Sequence, residues 1–162
     1  MTIQEIQALL IDNFGEEIVT KVDHQCISVP SERIVAVCQF LFENEHTYFD
    51  LLSCLTALDN GEAKGTMEVI YNLYSIPYEH KVMIRVEFPR NQAGESLPKV
   101  PSVSNIWRTA DWHEREAFDL MGIEFIGHQD LRRILLPEDW EGHPLRKDYQ
   151  EQEYYHGIKV KY

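Results

Sequence analysis

The chain has 162 residues, 44% of them hydrophobic and 26% charged, which suits one globular domain with a real core and room for an extension. Its formal net charge of -12 opposes phosphate backbones and anionic lipid headgroups, which argues against nucleic-acid binding and direct membrane insertion. There is no uninterrupted apolar run of ~18 residues, and Met1-Thr2-Ile3-Gln4-Glu5 lacks the basic and apolar regions of a signal peptide, so the expected compartment is the cytosol.

In chain order, Ile3, Ile6, Leu10 and Phe14 recur at helical spacing, and Gly15 stands where a helix would stop. Residues 18–29 read as strand. Ser31 is placed to cap a second helix whose buried side carries Ile34, Val37, Cys38 and Leu41. Residues 48–58 read as strand, ending before the turn signal Asp59-Asn60-Gly61. The clearest element is a hairpin over 67–88. Val82, Ile84, Val86 and Phe88 alternate with Lys81, Met83, Arg85 and Glu87, a half-buried antiparallel pattern, and Pro77-Tyr78-Glu79-His80 supplies the turn. A loop over 90–102 contains Gly94, Pro98 and Pro101. A helical stretch follows over 104–121, with Asp111-Trp112-His113-Glu114 in the form of a capping box and Gly122 as its stop. After Phe125 the apolar periodicity ends. Gly127, Pro137, Gly142 and Pro144 punctuate a segment with too little apolar surface for its own core, so it needs another surface to rest on.

Charge is uneven along the chain. Residues 1–60 carry ten Asp/Glu against two Lys/Arg, whereas 131–162 carry six of each. The balanced tail is the better candidate for a charged contact surface. Cys26, Cys38 and Cys54 form no C-x-x-C pair and are too few for an all-cysteine iron–sulfur cluster, so all three read as small core hydrophobes.

The densest polar cluster is Asp111, His113, Glu114, Arg115, Glu116 and Asp119. One reading makes Glu116 and Asp119, a turn apart, cation ligands; the blander one pairs Arg115 with Asp119 at i,i+4 and uses Glu114 to satisfy helix-start donors. The histidines lack H-E-x-x-H spacing. His128 and His143, each after a glycine, read as loop anchors hydrogen-bonded to neighbouring backbone. No G-x-G-x-x-G, Walker A or G-x-S-x-G occurs. Arg132-Arg133 and Arg146-Lys147 suit docking onto an acidic or carbonyl-lined partner.

Two long blocks then carry a resemblance. The run Glu114-Arg115-Glu116-Ala117-Phe118-Asp119-Leu120-Met121-Gly122-Ile123, continued by Gly127-His128 and Leu131-Arg132-Arg133-Ile134-Leu135, resembles the signature of the C-type subunit of NADH-quinone oxidoreductase, the complex I 30 kDa subunit family. Glu141-Gly142-His143-Pro144-Leu145-Arg146-Lys147-Asp148-Tyr149 resembles that family's C-terminal motif, in the same order and at about the same separation. With Pro101-Ser102-Val103 and Ala110-Asp111-Trp112, the likeness is close over 98–149 and loose before it. Gln129, where the family often has proline, and Tyr149-Gln150, where Phe-Pro is common, depart from the pattern and leave the tail less rigid.

The resemblance implies an α+β fold: one small domain over 1–125, with an antiparallel or mixed sheet and flanking helices, then an extended docking segment over 126–162. It implies a non-catalytic subunit of the electron-input arm of a proton-translocating NADH:quinone oxidoreductase. Such a subunit packs on the D-type subunit near the quinone site and on other peripheral-arm subunits, at the cytoplasmic face of the inner membrane. FMN and iron–sulfur clusters would sit in partner subunits, with no cofactor, metal or catalytic residue in this chain. Glu114, Arg115, Glu116, Asp119, His128, Arg132, Arg133, His143, Arg146, Lys147 and Asp148 would be subunit-interface or structural residues. Charge reversal at Arg132 or Arg146 is then expected to weaken assembly and leave the domain folded. Three alternatives stay open. One is the same type of subunit in a membrane-bound hydrogenase or a ferredoxin- or deazaflavin-dependent oxidoreductase. Another is a free-standing metal-dependent enzyme using Glu116, Asp119 and a histidine. The last is a regulatory module with an acidic face.

Overall fold

The computed structural model describes residues 1–92 and 94–160; Ala93, in the expected 90–102 loop, and Lys161 and Tyr162, at the end of the expected docking segment, lie outside the described residues. The first element is helix α1, Ile3–Phe14, and Gly15 ends it as expected. Its start is a capping box that the apolar spacing alone does not reveal: the Thr2 hydroxyl accepts from the Glu5 N–H, and the Glu5 carboxylate accepts from the Thr2 N–H. The expected strand over 18–29 is instead a 3-10 turn, Glu16–Ile18, followed by a tight hairpin of β1, Lys21–Asp23, and β2, Cys26–Ser28. The polar Asp23-His24-Gln25 supplies the reversal that splits the run. Ser31 makes no cap. Pro30 leads into a 3-10 turn, Ser31–Arg33, that feeds helix α2, Ile34–Glu43, whose Ile34, Val37, Cys38 and Leu41 are fully buried as expected.

Strands β3, Leu51–Asp59, β4, Thr66–Ser75, and β5, His80–Pro89, form a meander. The five-stranded sheet runs β1-β2-β5-β4-β3, antiparallel except where β2 lies parallel to β5. Register explains the core. Val69 sits opposite Val86, Tyr71 opposite Ile84 and Leu73 opposite Val82, so both strands send their apolar sets to one face, where the α1 and α2 residues join them. On the other face Arg85 bonds Ser28 and Asp23, tying β5 to the first hairpin.

Strand β6, Lys99–Pro101, pairs parallel with β7, Glu124–Ile126, and between them runs helix α3, Arg108–Met121, lying against β3. The helix starts at Arg108, after Trp107, within the expected 104–121 stretch, and runs through Asp111 without a break. The Trp107 indole donates to the Phe49 carbonyl, and Thr109 Oγ1 to the Leu52 carbonyl; both fix the helix start on the β3 side. Gly122 ends α3 in the left-handed conformation, φ +65°. Beyond Ile126 the described chain has no regular element until the two-residue strands β8, Tyr154–Tyr155, and β9, Ile158–Lys159. The fold is α+β. No helix among the described residues is long and apolar enough to cross a membrane.

Candidate functional site

The two sequence blocks meet in space. Residues 128–149 lie as a strap across the C-terminal half of α3 and the far end of β3, held by two buried carboxylates.

The first is Asp119, fully buried on α3. Its Oδ2 accepts N–H bonds from Ile134, Leu135 and Leu136 at 2.8–3.0 Å, and its Oδ1 takes Arg133 Nη1 at 2.8 Å. The same guanidinium donates to the Trp140 and Gly142 carbonyls, which closes the strap into a loop around one arginine. Burial works to raise the Asp119 pKa, but the three backbone donors and Arg133 outweigh it and hold the carboxyl below its ordinary value. Arg115 does not pair with Asp119; it reaches the Arg132 carbonyl and Asp130 and stacks on Trp112, 4.8 Å from the ring centre.

The second is Asp59, at the end of β3. Its carboxylate accepts from the Gly61 N–H at 2.8 Å, from Arg90 Nε at 3.0 Å and from the Lys147 N–H at 2.9 Å. Arg90 also bonds Asp148. Burial opposes ionisation of Asp59, yet the Lys147 and Gly61 amides and Arg90 prevail and its pKa is lowered. Between these anchors Arg146 caps α3. Its Nε and Nη2 donate at 2.8 Å to the Met121 and Gly122 carbonyls, groups with no partner inside the helix. His143 Nδ1 donates to the Asp119 carbonyl at 2.9 Å, and its ring lies so close to Gly122 that a Cβ there would overlap Cδ2. Burial pushes the His143 pKa down, which favours the neutral ring that makes this contact.

Glu114 lies on the inner side of α3, fully buried. It accepts from Ser102 Oγ at 2.5 Å and the Val103 N–H at 2.7 Å, so it satisfies the chain entering α3 from outside the helix, not as a capping-box partner of Asp111. Burial raises its pKa to about 7, against the pull of the Ser102 and Val103 bonds and with help from Asp111. His128 is a loop anchor. Its Nδ1 accepts from the Asp130 N–H, so Nε2 carries the proton and donates to the Asp111 carbonyl. Among the described residues no group of three or more His, Cys, Asp or Glu is placed to hold a metal ion; Glu116 points to solvent while Asp119 is enclosed.

Thus ten of the eleven candidate residues are bonded within the chain, Glu116 being the exception among the described residues; Arg132, its side chain 71% exposed, is held only by Asp130. Arg146 therefore cannot serve as a clean docking probe: reversing it would free the end of α3 and the strap together. The residues missed from sequence are Asp59, Arg90 and Ser102. Asp59 carries a visible turn signal, but nothing local ties it to Lys147, 88 positions away. Cys54 is exposed on β3, contrary to its reading as core; the register irregularity between Leu52 and Cys54 turns it outward.

Residues 27–155 match the family model described as respiratory-chain NADH dehydrogenase, 30 Kd subunit. The chain is 48% identical over 128 residues to the C-type subunit of the NADH-quinone oxidoreductase of Chloroherpeton thalassium, a match covering 78% of this chain and 50% of that one. Against the corresponding subunit of Moorella thermoacetica it is 41% identical over 150 residues, covering 93% and 94% respectively. The chain thus spans about half the length of the first relative and nearly all of the second. Among solved structures, a chain of the membrane-bound sulfane sulfur reductase, an archaeal respiratory membrane complex, has the same fold, with TM-score 0.72, 22% identity, and 91% and 85% of the two chains covered.

Proposed function

The chain belongs to the family of the respiratory-chain NADH dehydrogenase 30 kDa subunit, and from that premise we propose that it is a non-catalytic scaffold in the peripheral arm of a proton-translocating NADH:quinone oxidoreductase. Segment 126–162 docks it on the D-type subunit near the quinone site, at the cytoplasmic face of the inner membrane, and FMN and the iron–sulfur clusters reside in partner subunits. Electron transfer and quinone reduction depend on fixed distances, so a rigid support matters without touching a substrate.

One observation carries this reading. The strap turns Arg133 and Arg146 onto its own body and turns apolar side chains out: Leu135 and Leu145 are each 59% exposed. A rigid ridge with an apolar crest suits burial against another protein. The deciding experiment replaces Arg132→Glu and Leu135→Asp, neither side chain being needed for the anchors, and measures how much chain is retained in the membrane-bound complex. Loss of retention with an unchanged melting temperature of the isolated chain is the expected result. Wild-type retention would refute docking through the strap.

The fold likeness to the archaeal reductase favours one second reading, the same type of subunit serving a complex with another electron donor. NADH-dependent quinone reduction by the purified complex separates the two.

A further inference from the structure

No strand pairs with the outer edge of β3, although helix α3 lies against the strand. In the five-stranded sheet β3 is terminal, with β4 on one side and no strand on the other. Natural sheet edges are usually blunted by charge, proline or a covering element. Here Ser53-Cys54-Leu55-Thr56-Ala57-Leu58 contains neither a charge nor a proline, and Leu58 is 41% exposed. The protein closes both ends of this edge itself: Thr109 takes the Leu52 carbonyl, while Lys147 bonds Asp59 and the Asn60 carbonyl. Between these closures, the side-chain hydrogen bonds to the strand's main chain among the described residues come from β4, as when Asn72 Nδ2 donates to the Cys54 carbonyl.

A groove runs along this unpaired stretch. Cys54, Leu55, Thr56 and Ala57 line it from β3, His113, Ala117, Leu120 and Met121 from α3, and Leu145 from the strap. Four consecutive strand residues point to alternate faces, so a groove touching all four lies along the edge and not over one face. Glu116 also lines it, exposed and without an ion-pair or hydrogen-bond partner among the described residues.

We propose that β3 accepts an extended segment of a partner protein as a sixth strand, with an apolar side chain in the groove and a basic side chain against Glu116. This rests on the scaffold reading and adds the partner's chemistry. Main-chain ladder bonds supply the affinity, the groove supplies the side-chain preference, and Glu116 fixes polarity and register. The free carboxylate beside an uncharged edge is what commits the occupant to a basic and apolar strand; a second copy of this acidic chain would bring net repulsion.

Hydrogen exchange tests it, comparing the 51–60 stretch in the isolated full-length chain with the same stretch in the complex purified from native membranes. The outward-facing amides between 53 and 58 are expected to exchange at least tenfold more slowly in the complex. Glu116→Lys is expected to weaken retention of the chain about three- to fivefold at low salt, the size of a rim charge pair. Equal exchange in both samples overturns the proposal while leaving the scaffold reading intact. Slow exchange in the isolated chain that disappears on dilution would assign the edge to a second copy, and also overturns it. A chain absent from the complex would overturn both readings.

Discussion

Replacing Asp119→Asn removes one charge from the first anchor and leaves its shape. The Ile134, Leu135 and Leu136 amides would then share a neutral oxygen, and the new NH2 would face the Arg133 Nη1 donor. Losing a charge-assisted bond costs about 1.5–3 kcal/mol, and the three remaining bonds weaken. Arg133 keeps 19% of its side chain in solvent and recovers some hydration, so the net cost is put at ~3 kcal/mol. At 1.4 kcal/mol per tenfold change, strap opening rises roughly 100-fold. The loss is local, so the assay is residue-resolved hydrogen exchange at 134–136, where the amides donate to Asp119 and report the anchor directly. Exchange at those three amides unchanged from wild type would refute the claim that Asp119 holds the strap.

Three further outcomes follow from the same contacts. Asp119 and Asp59 both have lowered folded-state pKa values, so their stabilisation is present above the unfolded carboxylate pKa and is lost as pH falls through the lower folded value. Protection factors across 131–149 should therefore fall in acid before those of the sheet amides do. Glu114 has the opposite sign. Its folded pKa is raised from 4.5 to about 7, so stability falls as pH rises between those values and then levels off. Glu114→Gln should flatten that slope in urea melts at pH 5 and pH 7.5; an unchanged slope would remove Glu114 as its source. Gly122→Ala combines a left-handed φ, costing roughly 1–2 kcal/mol, with a displaced His143 ring. A calorimetric scan should show a lower melting temperature and faster exchange around His143, and a wild-type scan would contradict the close approach.

Much of the central architecture is legible because its signals are local. Period-two alternation in Val82, Ile84, Val86 and Phe88 marks β5, and the spacing of Ile34, Val37, Cys38 and Leu41 marks the buried face of α2. The left-handed stop at Gly122 is likewise visible. What the sequence hides is decided at a distance or by competing local chemistry. Pro30 shapes the approach to α2 where Ser31 has the makings of a cap, and Trp107 fixes the start of α3 through a bond to Phe49. The 18–29 run holds enough β-forming residues for one strand, and only its polar centre makes it two. At the site, the tail reads as needing a surface, and 128–149 lies on the chain's own α3 and β3. Sequence spacing suggests Arg115–Asp119, the helical neighbour; the fold brings Arg133, fourteen positions away, into better geometry.

The most direct measurement is mass spectrometry of the proteins that co-purify with this chain from native membranes. The account predicts the quinone-side D-type subunit and its peripheral-arm neighbours in stoichiometric amounts, with their loss in the Arg132→Glu, Leu135→Asp variant. Recovery of the chain alone, or with proteins unrelated to an oxidoreductase, would contradict it.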